Sequence, residues 1–244
     1  MNFNITLAGV TVGVETLYPR TRTMCERYLS PEDAVPAFTV KTTPADIEFE
    51  QMKSVETNGA GRYSDGYLET LAVYRQIAEK IIPHGALLIH CSAIALDGQA
   101  YLFLAKSGTG KSTHARLWRE RFGERAFMVN DDKPLLRVGE TVEVCGTPWN
   151  GKHNLDTNTS VPVRGICFLE RDTENHIVPV SRSDAYPRLL RQIYRPTGTE
   201  EMLLTLKMID RILETVPCYL LGCNMDPDAA RVSYEGMKNG NTDL

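Results

Sequence analysis

The sequence predicts a mixed α/β fold, and three observations carry that reading. Gln99–Leu104 is a short apolar run suited to a buried strand, residues 105–113 form a glycine-punctuated loop, and residues 112–118 read as a helix closed by Gly123. Strand, loop and helix in this order are what a phosphate-binding loop requires. A strand candidate at 86–96 precedes the first across only Asp97-Gly98, and strands joined by so short a turn run antiparallel. The sheet is therefore expected to mix strand directions. Further strand-like runs downstream, followed by helices, complete the pattern.

Bulk properties narrow the function classes. A chain of 244 residues can bury a full core, and 42% hydrophobic with 24% charged residues is ordinary for a globular protein. A net charge of −4 and a pI near 5.8 argue against a nucleic-acid partner, which usually needs a basic field. The basic residues between Arg116 and Arg125 read as the solvated face of one helix. No export signal and no apolar run of about 18 residues is seen, so a cytoplasmic protein with no membrane segment is expected. Cys25, Cys91, Cys145, Cys167, Cys218 and Cys223 show no zinc spacing, and most lie in apolar segments where a reduced thiol packs as a small hydrophobe.

Along the chain, residues 1–62 are expected to form a small β-rich lobe and 63–244 the nucleotide-binding domain. In the lobe, residues 5–14 alternate β-favouring and small residues, Phe38–Lys41 and residues 47–49 are strand candidates, and Asn58-Gly59-Ala60-Gly61 is a turn or link. A helix follows, capped by Ser64 or Asp65 and repeating apolar residues from Leu68 to Ile81 until Pro83. After the loop helix come a strand at Ala126–Asn130, a hairpin around Gly139-Glu140, a buried strand at 163–169 and a weaker one at 177–180. Helices are expected at 183–194 and 200–215, a strand at 218–221, and a last helix with Asp226 as cap and Pro227 in its first turn.

The chemistry centres on the loop. Gly108 and Gly110 let successive N–H groups face one concave nest, Lys111 adds a point charge for the outer phosphates, and Ser112 offers a hydroxyl to a divalent cation. Ala105 stands where glycine is commoner. Ser107, Gly108, Thr109, Gly110, Lys111, Ser112 and Thr113 are the candidate nucleotide-binding residues, and the helix that starts there points its positive end at the same spot. Asp131-Asp132 closes the next apolar strand; one carboxylate can hold a metal ion and its neighbour can take a proton from an attacking hydroxyl. An Asp pair is also common in solvated turns. His90 lies in an apolar run, where a histidine is more often packed core than a ligand, but the hairpin brings it near the loop end of the partner strand.

The series His90-Cys91-Ser92-Ala93, then Ser107-Gly108-Thr109-Gly110-Lys111-Ser112, then Asp131-Asp132 resembles the nucleotide core shared by HPr kinase/phosphorylases and ATP-dependent phosphoenolpyruvate carboxykinases. The resemblance spans roughly residues 85–180. It implies a P-loop core, ATP with Mg²⁺ or Mn²⁺, metal ligation by His90, Ser112 and Asp132, and Asp131 as catalytic base. The chain has no upstream arginine segment of the carboxykinase kind, and Val163-Arg164-Gly165-Ile166 only echoes the glycine-rich element of the HPr kinases. It is similar to the smaller HPr-kinase-related proteins of bacteria. HPr kinases assemble into rings, so the resemblance allows a homo-oligomer.

Two downstream elements are candidates to complete a site. Lys152, in the turn-rich stretch 146–153, is placed to reach a transferring phosphoryl group, with Trp149 shaping a wall; an ordinary structural loop is an equal alternative. Among Arg188, Arg191 and Arg195, Arg195 stands out because it sits at a helix end, where a guanidinium can face phosphates. The expectation is a Mg²⁺-dependent kinase moving the γ-phosphate of ATP to a hydroxyl of a protein, a peptide or a small molecule. The alternatives are carboxykinase-like phosphoryl transfer and a nucleotide-binding regulatory module without catalysis.

Overall fold

Residues 1–58 and 61–239 are described by the computed structural model. The turn expected at Asn58-Gly59-Ala60-Gly61 centres on Gly59 and Ala60, which lie outside the described residues. The chain divides into two units, Met1–His84 and Gly85–Leu244.

In the first unit, β1 (Asn2–Leu7) and β2 (Val10–Glu15) form an antiparallel hairpin. Its turn, Ala8-Gly9, has positive φ at both residues, the backbone that matches strand twist in a two-residue hairpin. After the short helix α1 (Arg20–Met24), β3 (Phe38–Lys41) joins β2 in parallel. The expected strand at 47–49 is instead part of helix α2 (Pro44–Asn58). Local capping overrides the β-favouring Ile47 and Phe49. Thr43 accepts the Asp46 N–H, the Asp46 carboxylate accepts from the Thr43 N–H at 2.9 Å, and Pro44 fits the first turn. Helix α3 (Asp65–Lys80) packs on α1, α2 and β3. The buried Glu69 carboxylate accepts the Leu17 and Tyr18 N–H groups and the Thr42 hydroxyl, so α3 groups with the strands before it rather than with the chain after it.

The second unit is built on a mixed sheet of nine strands. The strand expected at 86–96 is broken into β4 (Ala86–Leu88) and β5 (Ser92–Leu96). Residues 89–91 step from one part of the sheet to another, with their N–H groups held by the carbonyls of Pro134, Gln192 and Asp132. β5 pairs antiparallel with β6 (Gln99–Leu104), as the Asp97-Gly98 turn demands. The loop then leads into α4 (Lys111–Phe122), and β7 (Ala126–Asn130) returns on the far side of β5, antiparallel to it.

β8 (Leu135–Val138) and β9 (Val142–Cys145) make the expected hairpin. β10 (Ser160–Arg171) is longer than its apolar core suggests: its first residues pair with β9, and after an irregularity between Val163 and Gly165 it pairs in parallel with β6. β11 (His176–Pro179) lies at the edge. Helix α5 (Arg182–Leu190) stops earlier than expected because the chain beyond it is captured in extended form: Ile193 bridges Ile89, and the Tyr194 N–H donates to Leu88. After α6 (Thr199–Thr215), β12 (Cys218–Cys223) inserts between β10 and β11, and α7 (Asp228–Asn239) follows with Asp226 accepting the Asp228 N–H.

β6, β7, β10 and β12 therefore all point the same way, and antiparallel β5 begins where they end. Helices α4 and α7 pack together, burying Trp118, Phe103, Tyr101, Leu221 and Met237 in one apolar core. All six cysteines are free, and five are buried. Among the described residues no helix is long and apolar enough to cross a membrane.

Candidate functional site

Strand direction places the three motifs at one edge of the sheet. The loop leaves the carboxyl end of β6, Asp131-Asp132 leaves the carboxyl end of β7, and His90-Cys91 precedes the start of β5, which lies between them. Ligands of α/β sheets collect at such carboxyl ends, because loops and helix N-termini gather there.

The loop has the backbone its glycines permit. Gly108 and Gly110 have φ of +76° and +129°, with nothing within 4 Å of the position a Cβ would take. Gly110 caps α4, whose first free N–H groups open toward the loop. Lys111 is buried and its Nζ donates to the Ala105 carbonyl at 2.8 Å. Burial lowers its pKa, opposed by Cys91 and Asp132, so this ammonium lies in the field of the acid pair. Ser112 is exposed at the first turn of α4.

Asp132 is partly exposed, with Oδ1 3.2 Å from His90 Nε2 and Oδ2 3.8 Å from Lys133 Nζ. Burial pushes its carboxyl upward, but the His90 hydrogen bond and the Lys133 and Lys111 charges outweigh this and hold it below its ordinary range. His90 is thus not a packed core histidine: it stands in the break between β4 and β5, facing the acid pair.

Asp131 is in a different environment two atoms of backbone away. It is 5% exposed; Oδ1 accepts the Gly151 N–H, and Oδ2 is buried with no hydrogen-bond partner among the described residues. Burial raises its pKa, the Gly151 hydrogen bond and the nearby His153 offset part of the rise, and Asp132 adds to it. A buried carboxylate oxygen left without a donor is costly, and such groups call for a role.

Asn130, overlooked by motif reading, organises both acids. Its fully buried side chain accepts the N–H groups of Asp132 and Lys133 at 2.8 and 2.7 Å, and donates to the Thr147 and Trp149 carbonyls at 2.9 and 3.3 Å. Thr147 in turn donates to the Lys133 carbonyl at 2.8 Å. An Asn closing a strand just before two acids is the available sequence signal, since its side chain favours such a turn. Trp149 itself is buried and its carbonyl serves this network. Lys152 is exposed in the turn that begins at Gly151, beside Asp131.

Arg171, at the end of β10, donates through Nη2 to the Gly108 carbonyl at 2.7 Å. No local pattern reveals it, because 63 residues separate the two partners. An open cleft of about 1100 Å³ adjoins the loop on this flank; Arg171, Arg188 and Arg191 line it, and Arg195 is not among its lining residues. Arg195 is exposed just beyond Tyr194, whose N–H pairs with β4.

Carboxylate and hydroxyl donors suit Mg²⁺, and an imidazole beside them leans toward Mn²⁺. The 3.2 Å between His90 Nε2 and Asp132 Oδ1 is close to the roughly 3 Å between adjacent ligands of an octahedral ion bound at about 2.1 Å. Among the described residues no group of three or more His, Cys, Asp or Glu side chains forms a metal site by itself. A cation here would thus need further ligands, such as the Ser112 hydroxyl and phosphate oxygens.

The solved structure of the Hpr(Ser) kinase/phosphatase from Coxiella burnetii aligns over 62% of this chain and 88% of its own, at 11% identity and a TM-score of 0.38, a likeness too loose to inform the chemistry. No curated protein matches the sequence. Residues 67–227 match the family model described as SynChlorMet cassette protein ScmC, and they include the loop, the acid pair, Asn130 and Arg171. The chain belongs to the SynChlorMet cassette protein ScmC family.

Proposed function

We propose that this protein is an ATP-dependent phosphotransferase that passes the γ-phosphoryl group to a hydroxyl acceptor. The observation that carries the reading is the convergence of phosphate loop, buried Lys111 and two dissimilar carboxylates at one sheet edge. Acids whose environments push their pKa values apart suit a division of labour between ion holding and proton transfer.

In this reading the loop amides of residues 107–113 and Lys111 hold the phosphates, while Asp132, His90 and Ser112 hold a divalent cation. The cation would supply Lewis-acid screening of the outer phosphates. Asp131 takes the acceptor's proton as the acceptor oxygen bonds to the γ-phosphorus and the bond to the bridging oxygen breaks, leaving ADP. Its raised pKa favours that role, since a base works best when its pKa approaches the working pH. The turn beginning at Gly151 covers Asp131, so productive binding requires that turn to lift from the carboxylate. Lys152 and His153 ride on the same turn and come close to the transferring group when it resettles.

The test uses γ-labelled ATP with extracts of the source cell, followed by identification of the labelled acceptor. Lys111→Ala is expected to abolish labelling together with ATP binding, and Asp131→Asn to keep ATP binding and lose labelling. Transfer that survives Asp131→Asn removes the base assignment. Tight ATP binding with no labelled acceptor would favour a regulatory module instead.

A further inference from the structure

We propose that Arg171 is a positioning residue of the phosphate grip, turning two loop carbonyls toward itself so that the loop is set for an anion before one arrives. This rests on the reading of residues 105–113 as a polyphosphate grip and assigns to that site a residue outside its motif.

Strand register brings Arg171 to the loop. β10 and β6 run in parallel with Phe168 opposite Leu104, so the last residues of β10 continue beside the point where the loop leaves β6. On its other side Arg171 pairs with Cys223 of β12, which fixes the backbone from which the side chain reaches across. Nη2 donates to the Gly108 carbonyl at 2.7 Å, and Nε donates more weakly to the Thr109 carbonyl at 3.5 Å.

Peptide geometry gives these contacts their consequence. No peptide bond among the described residues is cis, so each carbonyl points opposite to the N–H of the next residue. With the Gly108 and Thr109 carbonyls turned to the guanidinium, the N–H groups of Thr109 and Gly110 turn away from it. The Thr109 N–H closes on the Lys106 carbonyl at 3.2 Å. Gly110 caps α4, so its N–H joins the free N–H groups at the helix start. Carbonyl oxygens facing a phosphate would repel it, and Arg171 holds these two away. Gly108 and Gly110 also give the loop more freedom to lose than other residues would, so a clasp that orders it beforehand reduces what binding must overcome.

The acidic neighbours of Arg171 are engaged elsewhere. Glu170 pairs with Arg188 at 2.7 Å, and Asp172 accepts the N–H groups of Thr173 and Glu174 at 2.6 and 3.4 Å. Among the described residues Arg171 forms no ion pair, and its hydrogen bonds go to the two loop carbonyls. A guanidinium spreads five donors over a rigid fork and can serve two neighbouring acceptors in fixed geometry, which a single ammonium cannot.

The experiment uses the full chain with Arg171→Met, which keeps the stem and removes the donors, and Arg171→Lys. Hydrogen exchange of residues 105–113, followed by mass spectrometry, reports the ligand-free loop. Calorimetry with ATP and with inorganic tripolyphosphate, each with Mg²⁺, reports the grip. In Arg171→Met the loop is expected to exchange roughly threefold faster or more. Both ligands should bind about tenfold more weakly and by the same factor, because the clasp acts on the loop and not on the nucleoside. Melting should stay within about 2 °C of the parent, since the side chain is exposed. Arg171→Lys, reaching one carbonyl but not both, should fall between parent and Arg171→Met in both measurements. Weaker binding with unchanged exchange overturns the proposal, because the arginine then acts as a charge alone. Unchanged affinity for both ligands overturns it too, while leaving the phosphate grip standing. Should Arg171→Met melt early, Arg171→Gln is read by the same criteria. A parent chain that binds neither ligand removes the phosphate grip, and its positioning residue with it.

Discussion

Replacing Asn130 with Ala should separate stability and chemistry at the acid pair. The side chain is fully buried and satisfies two backbone N–H groups, those of Asp132 and Lys133, and the Thr147 carbonyl; the Trp149 carbonyl keeps a second contact at 3.4 Å from the Thr147 hydroxyl. One buried and two part-buried groups are thus left short of a partner, at about 1–2 kcal/mol each, which sums to roughly 3–6 kcal/mol. For a chain of this size that corresponds to a drop of roughly 10 °C in Tm. Both tryptophans, Trp118 and Trp149, belong to the second unit, so intrinsic fluorescence reports its unfolding directly. Phosphoryl transfer should fall about a hundredfold, because a misplacement near 1 Å at a reacting group costs that much. ATP affinity should change less, since the loop amides do not depend on Asn130. Asn130→Asp should rescue neither property: it keeps the acceptor for the two N–H groups but turns an anionic oxygen toward the carbonyls of Thr147 and Trp149. A variant that melts within 2 °C of the parent, by the roughly 2–4 °C expected per kcal/mol, and transfers at full rate would refute the assignment of Asn130 as organiser.

Two other outcomes follow from close packing and buried charge. Gly146→Ala would place a Cβ 1.9 Å from the Thr157 carbonyl oxygen, so a loss of roughly 3 kcal/mol or an insoluble product is expected, read by urea unfolding or yield. His114, 2% exposed on the buried face of α4, has its pKa pushed down to about 4 by burial. Between its ordinary value of 6.5 and about 4 the unfolded chain binds more protons than the folded one, so stability is lost as the pH is lowered through this window, by roughly 3 kcal/mol in all. Urea unfolding at several pH values without metal or nucleotide should show His114→Gln flattening that part of the profile; an unchanged slope would place the acid sensitivity elsewhere.

What could be read along the chain was whatever local chemistry determines. Gly108 and Gly110 permit the positive φ that the loop adopts, Asp97-Gly98 forces an antiparallel neighbour, and an apolar run ending in two acids marks a strand meeting a polar edge. Those features rest on contacts within a few residues, and they are where expectation and structure agree. Where they part, a distant or competing partner decides. Thr43 and Asp46 cap a helix through residues with β preference; Asp132 and Gln192 carbonyls break the run at 89–91 and set His90 beside Asp132; Ile89 and Leu88 capture the chain after α5 and end that helix early. The unequal surroundings of Asp131 and Asp132, the Asn130 network and the Arg171 clasp on the loop all join residues far apart in the chain. Adjacent acids are chemically identical as letters in a sequence. Only burial under the turn at Gly151 and the placement of His90 and Lys111 make them different, because desolvation and charge act through space, not along the backbone.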